Sequence, residues 1–221
     1  MPIWEFLQTY WPLLLNGTLI TCAQFLLASV IAIACALAAG LGKLSGNWLI
    51  RGAAVIYIEI FRGTSLLVQL YWIFFVLPLF GLTLPSFIAG FLSVGLNVGS
   101  YGAEIVRGAI QSVPKGQWEA GYAISMSPAK RMRRIILPQA LALMLPPWGN
   151  LLIELLKGTA LVSLISVADL MFQAKQINAS TFLSAQAFGT ALVVYYILAR
   201  FLITPFMRWL ERSMARRLGR A

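Results

Sequence analysis

Residues 13–41 run for 29 positions without one charged side chain. About 20 mostly apolar residues are enough to cross a bilayer as a helix. That stretch alone excludes an ordinary water-soluble domain. Four more apolar runs follow. Residues 49–79 are interrupted by Glu59 and Arg62, and residues 86–110 carry Glu104 and Arg107 near their end. Residues 139–165 contain Pro146-Pro147, Glu154 and Lys157, and residues 185–207 form the last run. The pattern predicts an all-α integral membrane protein, one domain over residues 1–221, with about five transmembrane helices. Composition agrees: 60% of residues are hydrophobic and 11% charged, against roughly 25% charged in soluble domains.

The formal net charge is +10, and its distribution gives an orientation. Lys43 lies between the first two runs and Arg51 at the start of the second. Lys115, Lys130, Arg131, Arg133 and Arg134 lie between the third and fourth, and Arg208, Arg212, Arg216, Arg217 and Arg220 follow the fifth. The opposite side has only Lys175. Basic residues stay on the cytoplasmic side, so the N-terminus is expected outside and the C-terminus in the cytoplasm. The implied partner of this charge is a lipid bilayer rather than nucleic acid. There is no His, which removes imidazole bases and His metal sites. Cys22 and Cys35, in one helix, would stand about 20 Å apart, too far for a disulfide. No Cys-x-x-Cys pair points to a metal, and no Gly-x-x-x-x-Gly-Lys-[Ser/Thr] loop is present to cradle nucleotide phosphates. No cofactor and no catalytic residue are expected.

The long inside loop, residues 111–138, predicts two short helices. One covers residues 115–124. The second starts with Ser127 as N-cap and Pro128 at the first helical position. On physical grounds alone this could be an amphipathic hairpin lying on lipid. Its residues say more. Glu119-Ala120-Gly121, then Ser125, then Ile136-Leu137-Pro138 resemble the EAA loop of ABC importer permeases. In that family the short helix docks in a groove of the ATP-binding subunit. Ser125 stands where the family has Gly. A left-handed turn there costs a non-Gly residue roughly 1–2 kcal/mol.

Three further strings narrow the resemblance. Residues 59–69, EIFRGTSLLVQ, residues 101–110, YGAEIVRGAI, and residues 157–163, KGTALVS, resemble segments of the polar-amino-acid uptake permeases (the histidine, glutamine and arginine type). Ser65, Gly158 and Ala160 depart from that pattern. The resemblance implies the type I importer permease (MetI-like) fold in the inner membrane of a bacterium. It also implies a pair of permeases, identical or merely similar, two ATP-binding subunits docked inside, and a periplasmic or extracellular substrate-binding protein. ATP hydrolysis would then belong to the separate ATP-binding subunits, and this chain would be no enzyme. The 157–160 variant further resembles permeases for ectoine and hydroxyectoine, a subordinate reading.

Three acid–base pairs spaced i,i+3 sit within apolar runs: Glu59/Arg62, Glu104/Arg107 and Glu154/Lys157. Such partners share a helical face. For the first two, mutual neutralisation inside the membrane is the expected role. The third follows a double proline, where a broken helix could line a polar cavity. Glu154 and Lys157, with Thr159 and Ser163, are expected on a substrate path, structural pairing being the other reading. Asn97 and Tyr101 could face the same path or bond between helices. Gly90, Gly95 and Gly99 predict close helix approach, internal or across a dimer. Two other functions have less support in the residues. An ion-coupled secondary transporter would use Glu104 or Glu154 as proton carrier, but no internal repeat supports it. An integral membrane enzyme would need an acid/base or metal constellation, which is lacking.

Overall fold

The computed structural model describes residues 2–217; Arg220, one of the basic residues counted after the fifth run, lies outside them. The described residues form helices and turns, with no strand. Helix α1, Ile3–Lys43, has 41 residues and is about 61 Å long, well beyond a bilayer core. Helix α4, Ser86–Gln111, runs beside it in the same direction. The glycine stripe is the contact. A Cβ on Gly95 would lie 2.7 Å from Ile31, and one on Gly99 2.8 Å from Cys35. Close approach is therefore internal. Fourteen of the 26 residues of α4 are buried, which explains a composition richer in Gly, Ser and Asn than a lipid-facing helix would carry.

The second apolar run is not one straight span. Helix α2, Trp48–Gly63, and helix α3, Leu66–Tyr71, meet at a bend of 107°, with the chain continuing from α3 through a wide turn and a tight turn to Phe80. Thr64 and Ser65 are extended at the break. Gln69 fills the gap in backbone bonding. Its Nε2 donates to Phe61 O at 2.9 Å, Thr64 O at 3.2 Å and Thr64 Oγ1 at 2.7 Å. Freed carbonyls within an apolar layer need such donors.

Helix α5, Lys115–Ala123, leads to helix α6, Pro128–Arg131, and through a wide turn to helix α7, Leu137–Thr159. The expected break at Pro146-Pro147 does not occur: α7 passes through both prolines. Each ring deletes one donor, and side-chain packing holds the backbone through the defect. Trp148 rests against Gly102, where a Cβ would lie 2.6 Å from the indole, and Met207 rests on Gly149. The irregular stretch comes later, a tight helical turn at Ala160–Ile165 that ends on Ser166 at φ 63°. Helix α8, Leu170–Thr181, was not anticipated; Asp169 caps it, accepting from Phe172 N at 2.9 Å. Helix α9, Ser184–Ile197, continues through a wide turn into helix α10, Thr204–Arg217.

By length and composition three helical stretches can cross a bilayer: Ile3–Lys43, Pro128–Ile165 and Ser184–Arg216. The bent α2–α3 pair makes a fourth if it counts as one span. Helix α4, about 39 Å long, is also longer than a bilayer core is thick, and it is the most buried helix of the bundle. Side chains of α1, α4 and α7 with α3 form the main core around Leu70, Val94 and Leu155. A second cluster, around Val106, Ile110 and Ile136, seats the α5–α6 hairpin. A third, around Phe6, Leu14 and Leu170, packs α8 and α9 on the start of α1.

Candidate functional site

Two regions carry the residues singled out in the sequence. The first is the α5–α6 hairpin. Helix α5 ends in a Schellman motif: Met126 N donates to Gly121 O at 3.0 Å and Ser125 N to Tyr122 O at 2.8 Å. Ser125 has φ 54°, the left-handed conformation expected of it. Ser127 is extended with Pro128 at the helix start, as expected, although its side chain makes no capping bond. Gly121 is buried because the stem of Arg131 crosses it; a Cβ there would collide with that stem. The Arg131 guanidinium lies 3.6 Å from the Tyr122 ring centre and 5.8 Å from that of Trp118. Its Nε and Nη1 find no hydrogen-bond partner among the described residues. Ile136 is fully buried, and Pro138 lies in the first turn of α7. Glu119 and Ala120 are exposed on α5. Tyr122 and Ile124 beside them are 65% and 69% exposed. The hairpin is thus anchored through Gly121, Arg131 and Ile136, and it turns acidic and apolar side chains outward.

The second region lies at the mid-depth of α4. Asn97 Nδ2 donates to Phe61 O and to Gln69 Oε1, each at 3.0 Å. Asn97 is buried and clamps the α2–α3 bend, so it bonds between helices. Arg62 does not meet Glu59. Its guanidinium lies 5.4 Å from the ring centre of Tyr101, and no ion pair joins Glu59 and Arg62. That expectation fails because the Arg62 side chain reaches over Tyr101 on α4, while Glu59 stays exposed on α2. Glu154 and Lys157 do pair, at 2.8 Å, but with side chains 65% and 64% exposed. They stand on an open face of α7, not in a cavity closed by this chain. Gly158, next in sequence, abuts Leu66 and Val94, so this turn of α7 sits beside the bend. Thr159 and Ser163 are buried and bond back to Leu156 O and Ala160 O. A groove of about 500 Å³ along the bend, lined by Thr64, Val68, Trp72 and Leu96, is apolar, and neither Glu154 nor Lys157 lines it.

The Glu104/Arg107 pair forms and is larger than its spacing shows. Glu104 Oε1 lies 2.7 Å from Lys43 Nζ, and Oε2 lies 2.7 Å from Arg107 Nη2. Lys43, at the end of α1, was missed because only the parallel packing of α1 on α4 brings it there. Asp169 was missed as well. It is fully buried and accepts from Tyr195 Oη at 3.3 Å. Burial pushes its carboxyl up to about 6, against the pull of the backbone N–H donors of α8. An Asp immediately before the apolar Leu170-Met171-Phe172 was the available signal of a helix start. Among the described residues no cluster of His, Cys, Asp or Glu could hold a metal ion.

Residues 12–216 match the family of binding-protein-dependent transport system inner membrane components. A probable amino-acid ABC transporter permease of Sinorhizobium fredii is 44% identical over 210 residues, covering 92% of this chain and 88% of that one. The L-cystine transport system permease TcyB of Bacillus subtilis is 38% identical, covering 96% and 92%. In three dimensions the chain is similar to a subunit in the crystal structure of an amino acid ABC transporter with histidines. The TM-score is 0.88 at 35% identity, covering 96% of this chain and 99% of that one.

Proposed function

The chain belongs to the family of binding-protein-dependent transport system inner membrane components, and from that premise we propose that it is the permease of an ATP-driven importer of polar amino acids or a similarly small zwitterion. Such permeases are membrane transporters rather than enzymes, and they work with an ATP-binding subunit and a substrate-binding protein. In the assembly proposed, two permeases, identical or similar, pair in the membrane. Two ATP-binding subunits dock inside and hydrolyse ATP there, and the binding protein delivers substrate outside. The N-terminus faces outside and the C-terminus the cytoplasm, consistent with the basic residues gathered at the α5–α6 end of the bundle.

The observation that carries this reading is the hairpin itself. Glu119, Ala120, Tyr122 and Ile124 face outward on a short helix locked to α7. A force applied to α5 reaches α7 through the Arg131 stem and Ile136, so closure of docked ATPases moves α7 as they approach each other. Ser125 shapes the turn. Glu154 and Lys157 supply one negative and one positive group, matching the ammonium and carboxylate of a zwitterion. Charges so exposed cannot face hydrocarbon cheaply; a paired permease and the water-filled path between the two would cover them. An ectoine-like solute remains the narrower form of this reading.

The test is uptake of labelled polar amino acids, L-cystine among them, into proteoliposomes holding the full complex. ATP-dependent accumulation is expected, unaffected by collapsing ion gradients. Glu119→Lys should abolish it while leaving the permease in the membrane. Accumulation driven by an ion gradient without ATP would mean a secondary transporter, and full activity of Glu119→Lys would make the hairpin a lipid-facing helix.

A further inference from the structure

Helices α9 and α10, joined by the wide turn Leu198–Ile203, form one continuous helical stretch over Ser184–Arg216, and its far end carries a pattern that import leaves unused. At 100° per residue, Arg208, Trp209, Arg212 and Arg216 fall on one side of α10, and Phe201 and Leu202 are exposed in the wide turn just before it. Burial agrees with this geometry. All six are exposed, whereas Ile203 and Met207, on the opposite side, are 5% exposed and join the core. Phe201 and Trp209 are 68% and 59% exposed, large apolar side chains that only hydrocarbon or another apolar surface would cover. The stripe changes character within two turns. Phe201 and Leu202 come first, Trp209 follows at the level where indoles favour a membrane interface, and the three arginines succeed one another at one per turn.

Pro205, Arg208, Trp209, Arg212 and Arg216 line a shallow groove of about 320 Å³. None of these arginines is in an ion pair among the described residues. Their one bond to each other is weak, from Arg216 Nε to Arg212 O at 3.4 Å. The nearby acid, Glu211, is turned about 100° from Arg212 around the helix. The guanidinium is a planar fork of donors that fits phosphate oxygens in bidentate fashion. Basic groups just beyond a spanning helix are drawn to anionic lipid.

We infer that this stripe holds an anionic phospholipid of the inner leaflet, with its acyl chains along Phe201 and Leu202 and its phosphate among Arg208, Arg212 and Arg216. Charge complementarity selects the occupant: three cations without an ion-pair partner among the described residues surround a groove next to an exposed apolar strip. The inference rests on the inside placement proposed for the end of α10, and on nothing about the substrate.

The test is native mass spectrometry of the purified complex, given phosphatidylglycerol and phosphatidylcholine in competition. The wild type should retain phosphatidylglycerol preferentially, and about 1 M salt should erase the preference. Arg208→Gln, Arg212→Gln and Arg216→Gln combined should weaken phosphatidylglycerol on the order of a hundredfold, and Arg212→Gln alone about fivefold. The single variant keeps the question decidable should the triple fail to assemble. Arg133→Gln with Arg134→Gln, at the hairpin, should leave the preference intact. An unchanged preference in both stripe variants would overturn the inference. So would loss of the ATP-binding subunit from these variants with lipid retention unchanged, which would make the stripe a protein contact. Lipid is offered from both sides in this experiment. A mistaken orientation would therefore show separately, as labelling of a cysteine introduced at Ala129 by an impermeant reagent in intact cells.

Discussion

Glu104 with Arg107 and Glu154 with Lys157 have the same i,i+3 spacing and similar bond lengths, 2.7 and 2.8 Å. Their surroundings differ. Glu104 is 18% exposed and held between two cations on two helices, because parallel packing of α1 on α4 delivers Lys43 to its second oxygen. Glu154 and Lys157 are each about two-thirds exposed and touch nothing charged but each other. The first group is a tertiary clamp at the basic end of the bundle. The second is an open pair near the end of a helix that continues past two prolines. Spacing along one helix specifies that a pair can form; the neighbouring helix decides whether it holds the fold or remains available to a ligand.

The largest effect that would sharpen this contrast is at the clamp. Glu104→Ala leaves Lys43 and Arg107 facing each other without their shared anion. Partial exposure reduces the usual cost of breaking a buried pair, leaving a loss of about 2–3 kcal/mol. Thermal unfolding in detergent should show it as a clear fall in midpoint. Lys43→Ala keeps the Arg107 contact and should lose about 1 kcal/mol, measured in the same way. No loss from Lys43→Ala would mean that the clamp is really a local pair within α4. At the bottom of the scale, Glu59→Gln should shift stability by less than about 0.5 kcal/mol, because Glu59 makes no ion pair with Arg62. A large drop there would restore the pairing that the Arg62–Tyr101 contact replaces.

Much of the architecture was legible because it depends on local signals. The apolar runs marked the helices, and Ser127-Pro128 marked the start of α6. The resemblance, with Gly where Ser125 stands, marked a left-handed turn, found at φ 54° although Ser fills it. Features set by tertiary contact were not legible. Gly63-Thr64-Ser65 lies within an apolar run, and only Gln69 and Asn97, meeting at 3.0 Å, show that the chain bends there. Pro146-Pro147 signalled a break that the packing of Trp148 on Gly102 prevents. For the candidate path, Glu154 and Lys157 stand on an accessible face, whereas Asn97, Thr159 and Ser163 turn inward to bond with backbone carbonyls.

The contrast between a clamp and an available pair is tested most directly by comparing thermal stability with ATP-driven uptake for Glu154→Gln, Lys157→Met and the double variant. Exposure of both side chains limits the stability change to about 0.5 kcal/mol in each. Uptake should fall at least about tenfold in either single variant, since one charge-assisted contact to substrate is worth about 1.5–3 kcal/mol. Combining the two should rescue nothing, because both contacts are then gone. Single variants that unfold, with a double that regains both stability and transport, would contradict the account and make Glu154–Lys157 a structural pair like Glu104–Arg107.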